Sequence, residues 1–273
     1  MNLTRRSHFL AFILILLGTL ALPKLVHAQI QQDTTHWNDE NLYGEEKSSP
    51  AFFSVGGGAL GSYFKPDFTA FNANVAQPFV GQNISEHVWM IGGQGFITLP
   101  WIKNFRVGGI GMSGTSDCGC LDTTVNNGSQ SVGRLLDYEV GYGALTFDYV
   151  LPLRTGHFHI VPGVALGYGT VSIYMQQAAA NRSFNDDLNG FNQNSAYITH
   201  TYSSHFFLYM PQLQFEFAPL GYLMFRLTAG YQGTSMGAWT VDRGVSLGNT
   251  TPLDNINGSG LIVSLGVFLG LFQ

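Results

Sequence analysis

The stretch ITHTYSSH, residues 198–205, puts His200 and His205 beside Ser203 and Ser204, the side chains that nucleophilic acyl chemistry uses. Such chemistry needs a hydroxyl, a base within hydrogen-bond reach of it, and a third group that orients the base. The spacing offers candidates for the first two and no assignable acid for the third. A serine-rich loop explains the same residues without chemistry, so no catalytic residue is assigned. Cys118 and Cys120, in SDCGCLDTT, raise a metal site or a redox pair. Two thiolates are too few for a metal centre, and a C-x-C spacing is too close for a relaxed disulfide. His157 and His159 share a parity that could chelate a metal, but they also read as polar residues at a strand end. No metal site and no cofactor is expected.

The ionisable residues that make a consistent set are Arg106, Asp137, Glu139, Glu216 and Arg226, each inside an otherwise apolar segment. If those segments are strands closed around a narrow interior, the charges face inward and must pair, because an unpaired buried charge costs several kcal/mol. The expectation is a salt-bridge network that plugs the interior rather than an ion path. The sharpest case is FFLYMPQLQFEFAPLGYLMFRLTAGYQ, residues 206–232. Phe207, Tyr209, Leu213, Phe215 and Phe217 share one parity, and Gln212, Gln214 and Glu216 share the other. That is period two, a strand with one apolar and one polar face. With Pro219-Leu220-Gly221 as the loop, Gly221 takes a left-handed position and Glu216 faces Met224; shifted by one residue, Glu216 lies opposite Arg226.

Composition says what kind of strands these are. Charged residues are 11 % of the 273, aromatics 14 %, and there are 34 glycines. The net charge of −5 gives no basic field for nucleic acid. After residue 28 no apolar run is long enough for a spanning helix. A lipid-compatible composition without spanning helices is met by a closed β-barrel, the other backbone solution that satisfies every amide in lipid. Strand candidates are 51–64, 86–99, 104–113, 133–151, 158–175, 204–217, 222–233 and 259–272. In 133–151, Leu136, Tyr138, Val140, Tyr142 and Ala144 read as the lipid face, opposite Asp137 and Glu139. Short connections at 100–104, 152–157 and 218–221 alternate with long polar ones near 65–85, 114–132, 176–203 and 234–258. Short turns at one end and long loops at the other are how bacterial outer-membrane barrels are built. The reading is all-β: a transmembrane antiparallel up-and-down barrel of eight strands, or ten if 176–203 hides a hairpin.

At the N-terminus, Arg5 and Arg6 precede the apolar run at 9–22, and Val26-His27-Ala28 follows. This is the pattern of a cleaved signal peptide over 1–28. A polar leader over 29–50 and a barrel over 51–273 complete the division. Over about 51–273 the chain resembles the small outer-membrane barrels of Gram-negative bacteria, the eight-stranded OmpA/OmpX-like group. The alternating end GLIVSLGVFLGLFQ carries part of that resemblance. In that group a terminal aromatic strand is the signal to the barrel-assembly machinery; here Gln273 follows Phe272, a departure. The resemblance implies a monomer in the bacterial outer membrane, with membrane lipids and lipopolysaccharide as partners and no nucleic acid. Its leading function is structural or surface-interacting. Transport or binding of a small hydrophobic molecule is the alternative, and a lipid-modifying enzyme with a His and a Ser at the outer rim a more remote one.

Overall fold

A pleated strand sends alternate side chains to opposite faces, so a segment with one apolar stripe can turn it outward and keep the other face for an interior. The computed structural model of the chain describes residues 53–116, 123–127, 130–153, 157–179, 198–242, 244–248, 253, 256 and 258–272. The expected signal peptide and leader lie outside the described residues, as do Cys118 and Cys120. From Phe53 onward the chain is one unit. Its eight long strands are β1 Ser54–Pro66, β2 Val88–Thr98, β3 Phe105–Ser116 and β4 Gln130–Tyr149, then β5 Phe158–Ala179, β6 Ile198–Leu220, β7 Leu223–Val241 and β8 Gly260–Phe272.

Each strand pairs antiparallel with its sequence neighbours, and β1 pairs with β8 from Ser54↔Phe272 to Pro66↔Gly260, which closes the ring. Closure gives every strand two partners and removes the edges. β5 and β6 pair directly from Phe158↔Phe217 to Gln177↔Ile198, so no further strand stands between them and the barrel has eight strands, not ten.

The outward stripe is apolar. Trp89, Ile91 and Ile97 on β2, Phe207, Tyr209, Leu213, Phe215 and Phe217 on β6, and Leu261, Val263, Leu265, Val267 and Leu269 on β8 are all exposed. Leu265 is 64 % exposed and Ile91 76 %. A band like this is unfavourable in water and matches hydrocarbon. Aromatics fringe it at both ends: Trp101, Tyr149 and Tyr222 by the short turns, and Tyr63, Trp89, Tyr168 and Tyr231 towards the long loops. Such girdles sit at membrane–water interfaces.

Strand lengths differ around the ring. β1, β2, β3 and β8 have 11–13 residues, whereas β4 to β7 have 19–23. The extra residues all lie at the long-loop end, where β4–β7 stand as a four-stranded wall. The sequence reading ended β5 at 175 and β7 at 233 and began β6 at 204, because Ser, Thr and Gln there look like loop. Backbone pairing continues through them instead, from Glu139↔Ser172 and Ser172↔Ser203 to Ser203↔Thr240. A short strand, Thr123–Asn127, pairs with the start of β4 and covers its free edge.

The connections bring two corrections. The β6–β7 turn is the pair Gly221-Tyr222, with an irregularity between Phe217 and Leu220, so Glu216 pairs directly with Arg226. Gly221 is not left-handed; among the described residues the positive-φ positions are Asn104, Asp242, Gly81 and Gly244. The β8 end holds the turn, through Phe272 N–H to Gly221 O (2.8 Å) and Gly270 N–H to Tyr222 O (3.1 Å). The first long connection is not a plain polar loop. It folds into short helical pieces over Thr69–Phe71, Asn72–Ala76 and Gln77–Val80, which bury Phe71, Val75, Ala76 and Val80, with Phe68 and Ile84 buried on either side of them. Phe68 meets Tyr138 edge-on at 4.8 Å, so this cap seals the long-loop mouth of the barrel.

Candidate functional site

The interior divides by height. Under the cap it is apolar, filled by Phe64, Met90, Leu136, Tyr138, Val140, Ile173, Phe206, Leu208 and Met210. Towards the short turns it is polar, and the inward stripes of β2, β3, β4, β6 and β7 converge there. Glu216 on β6 is the hub. Its Oε1 accepts from Arg106 Nη2 at 2.7 Å and pairs with Arg226 Nη2 at 2.6 Å, all three side chains being fully buried. Arg226 Nη1 donates to Gln94 Oε1 at 2.7 Å. Beside them Asp148 Oδ1 accepts from Gln214 Nε2 at 2.8 Å and Gln212 Nε2 at 3.3 Å.

The two guanidiniums have apolar partners as well. Arg106 and Arg226 lie over the Phe96 ring at 4.6 and 4.5 Å, and Arg226 over Phe268 at 4.3 Å. Arginine suits this place because its flat, weakly hydrated cation can stack on a ring face and donate in its own plane at once. Two guanidiniums and two carboxyls also balance in charge when both carboxyls are ionised. An eight-stranded barrel is only just wide enough inside for its side chains, and here those side chains cross the axis and bond to each other.

The structure thus brings together Arg106, Glu216 and Arg226 and leaves out Asp137 and Glu139. Glu139 is exposed and Asp137 half-buried, both on the outward stripe of the wall, while Leu136, Tyr138, Val140 and Tyr142 point inward. The parity of this strand is the reverse of the one expected. Under the cap the interior is the apolar environment and the outward face of the wall carries Glu139, Ser172, Ser203 and Thr240, so apolar residues turn in. Asp148, four positions beyond Ala144 on the same inward stripe, is the cluster member that sequence reasoning missed. Its parity could have revealed it once Leu136–Ala144 were taken as interior.

At the rim of the wall, His200 gains the acid that the sequence did not supply. Its Nδ1 lies 2.9 Å from Asp242 Oδ2, and Asp242 Oδ1 accepts from Thr201 N–H at 3.1 Å. The bond to His200, helped by that amide, holds the Asp242 carboxyl below its ordinary range. The serines are engaged elsewhere: Ser203 Oγ lies 3.2 Å from Ser172 Oγ, and Ser204 Oγ donates to Gly237 O at 2.9 Å. His205 Nδ1 lies 3.0 Å from Thr170 Oγ1. His and Asp are together, but the hydroxyls face other partners. His159 is buried near the short turns, while His157 is exposed, with Nδ1 3.1 Å from Ala218 O.

No family model and no curated protein matches the sequence. Among solved structures, the chain is similar to a major outer membrane protein from Thermus thermophilus, at 13 % identity and a TM-score of 0.47 over 82 % of this chain and 100 % of that one. It is also similar to OprG from Pseudomonas aeruginosa (12 %, 0.38, 81 % and 94 %) and to Ail, the attachment invasion locus protein of Yersinia pestis (10 %, 0.37, 82 % and 99 %). On its own geometry, a closed eight-stranded ring with an apolar outward band, the architecture is that of a small outer-membrane β-barrel.

Proposed function

We propose that this small outer-membrane barrel is a closed, non-enzymatic protein of the bacterial outer membrane. The short turns face the periplasm, and the cap and wall face the exterior as a surface for interaction. The observation that carries this reading is the Arg106–Glu216–Arg226 bridge, which joins β3, β6 and β7 across the axis where a solute path would run. The cap adds a second closure at the other end. Carriage of a hydrophobic molecule would use the apolar interior, but large side chains such as Phe64, Phe206 and Met210 already fill it.

Planar-bilayer recording tests the closed lumen. The purified barrel should insert without stable conductance steps, and removal of the cap alone should not create them. Discrete openings in the unmodified protein would refute the reading.

A further inference from the structure

On the low side of the barrel, where β1 and β8 end, a groove of about 700 Å³ lies between the strand ends and the cap. Its depth in the membrane follows from the register. Tyr63 pairs with Trp89 and Val263, and two residues further along the strands Lys65 pairs with Leu261, which pairs with Tyr231. The groove therefore opens at the aromatic girdle, to which its lip residue Tyr231 belongs, and reaches Lys65, one pleat or about 7 Å along the strand beyond Tyr63. That is the depth of lipid headgroups.

Its two lips differ. The lower lip is the lipid-facing pair Leu261 and Tyr231, 62 % and 47 % exposed and continuous with the apolar band below. The upper lip is the polar side of the cap: Asp67, Asn72, Gln77, Asn83 and Glu86. Asn72 Oδ1 accepts from Ile84 N–H (2.9 Å) and Asn83 Oδ1 from Gln77 Nε2 (2.9 Å), leaving the NH₂ group as the remaining polar function of each asparagine. Lys65 lies 3.6 Å from Glu86. One cation against two carboxylates makes the groove net negative, which disfavours a phosphate. Amides, carboxylates and a tyrosine ring match the hydroxyls and apolar faces of a sugar.

We propose that this groove seats the sugar headgroup of one outer-leaflet glycolipid, its acyl chains running down over Leu261 and Val263. The proposal rests on the outer-membrane reading above. Its occupant is a membrane lipid rather than a free saccharide because the lower lip is continuous with the lipid-facing band. The volume lies within the range of small-ligand sites.

The test is native mass spectrometry of the full chain in a detergent without sugar. It is titrated with a diglucosyl diacylglycerol, a phosphatidylglycerol and a phosphatidylcholine of matched chains. One glycolipid should bind per barrel, about tenfold more tightly than either phospholipid. Ala73→Trp, which fills the groove from an exposed cap position, and Gln77→Leu should each reduce that preference to the phospholipid level. Equal affinity for all three, preference for phosphatidylglycerol, or a glycolipid preference that survives Ala73→Trp overturns the proposal. The same samples are run heated and unheated on a gel; a chain without the faster, folded band is no membrane barrel, and both readings then fall together.

Discussion

Glu216 holds two guanidiniums with one carboxylate oxygen, so it is the residue whose loss leaves most behind. Glu216→Gln should lower stability by about 3–5 kcal/mol, since removing one partner strands buried charges. Replacing all three residues together, Arg106→Met, Glu216→Leu and Arg226→Met, should recover most of that loss, because no charge then remains to be paired. Urea unfolding in lipid vesicles measures both, and a triple variant less stable than the single one would show that the bridge contributes more than charge compensation. Asp242 makes a milder case. Its folded carboxyl titrates below the ordinary value, so its bonds to His200 and Thr201 add stability above the unfolded value of about 3.9 and lose it as pH falls through the folded one. Protection of the Thr201 and Asp242 amides, measured as exchange relative to the intrinsic rate at each pH, should therefore fall on acidification below the ordinary carboxylate range. Asp242→Asn should remove that pH response.

At the scale of elements, how much the sequence disclosed depended on what each face touches. β2, β6 and β8 were legible because their apolar stripe meets lipid while Gln94, Gln214, Glu216 and Ser264 turn inward, and period two then reads directly. β4 was misread because hydrophobicity cannot distinguish a lipid face from an apolar interior, and above the band only the interior is dry. The cap was hidden for a related reason: Phe68, Phe71, Val75 and Val80 recur at roughly helical spacing, but Asn and Gln between them read as loop. Arg134 ties this cap to β4, donating from Nη1 to Phe79 O at 2.9 Å and from Nε to Gln177 Oε1 at 2.9 Å. Arg134→Ala should raise proteolysis within the cap while the strands stay protected, and unchanged cleavage would mean that burial of its phenylalanines suffices. Glycine placement offers a paired test along β1. A side chain at Gly58 would run into Val267 O and Phe268 Cα, whereas one at Gly61 meets nothing within 4 Å. Gly58→Val should cut folding yield severely and Gly61→Val should not, as the fraction showing heat-modifiable migration will report.

For the whole molecule, the orientation is open to direct measurement. An epitope inserted after Gly248, in the last long connection, should bind antibody on intact cells. The same epitope between Ile102 and Lys103 should bind only after the membrane is breached, and the opposite result would invert the barrel. The unequal strand lengths then matter beyond the fold. β6 runs nine residues from Phe207 to Ile198, about 30 Å of strand above its aromatic level, while β1 and β8 stop close to theirs. In the plane of the membrane the barrel therefore has a front and a back. A large particle approaching from solution is screened on the β4–β7 side, and among the described residues a molecule sliding within the leaflet meets a low rim along β8, β1, β2 and β3. Neighbouring proteins would pack against it with a preferred azimuth, so a crowded membrane could sort these barrels by facing direction without any oligomer forming.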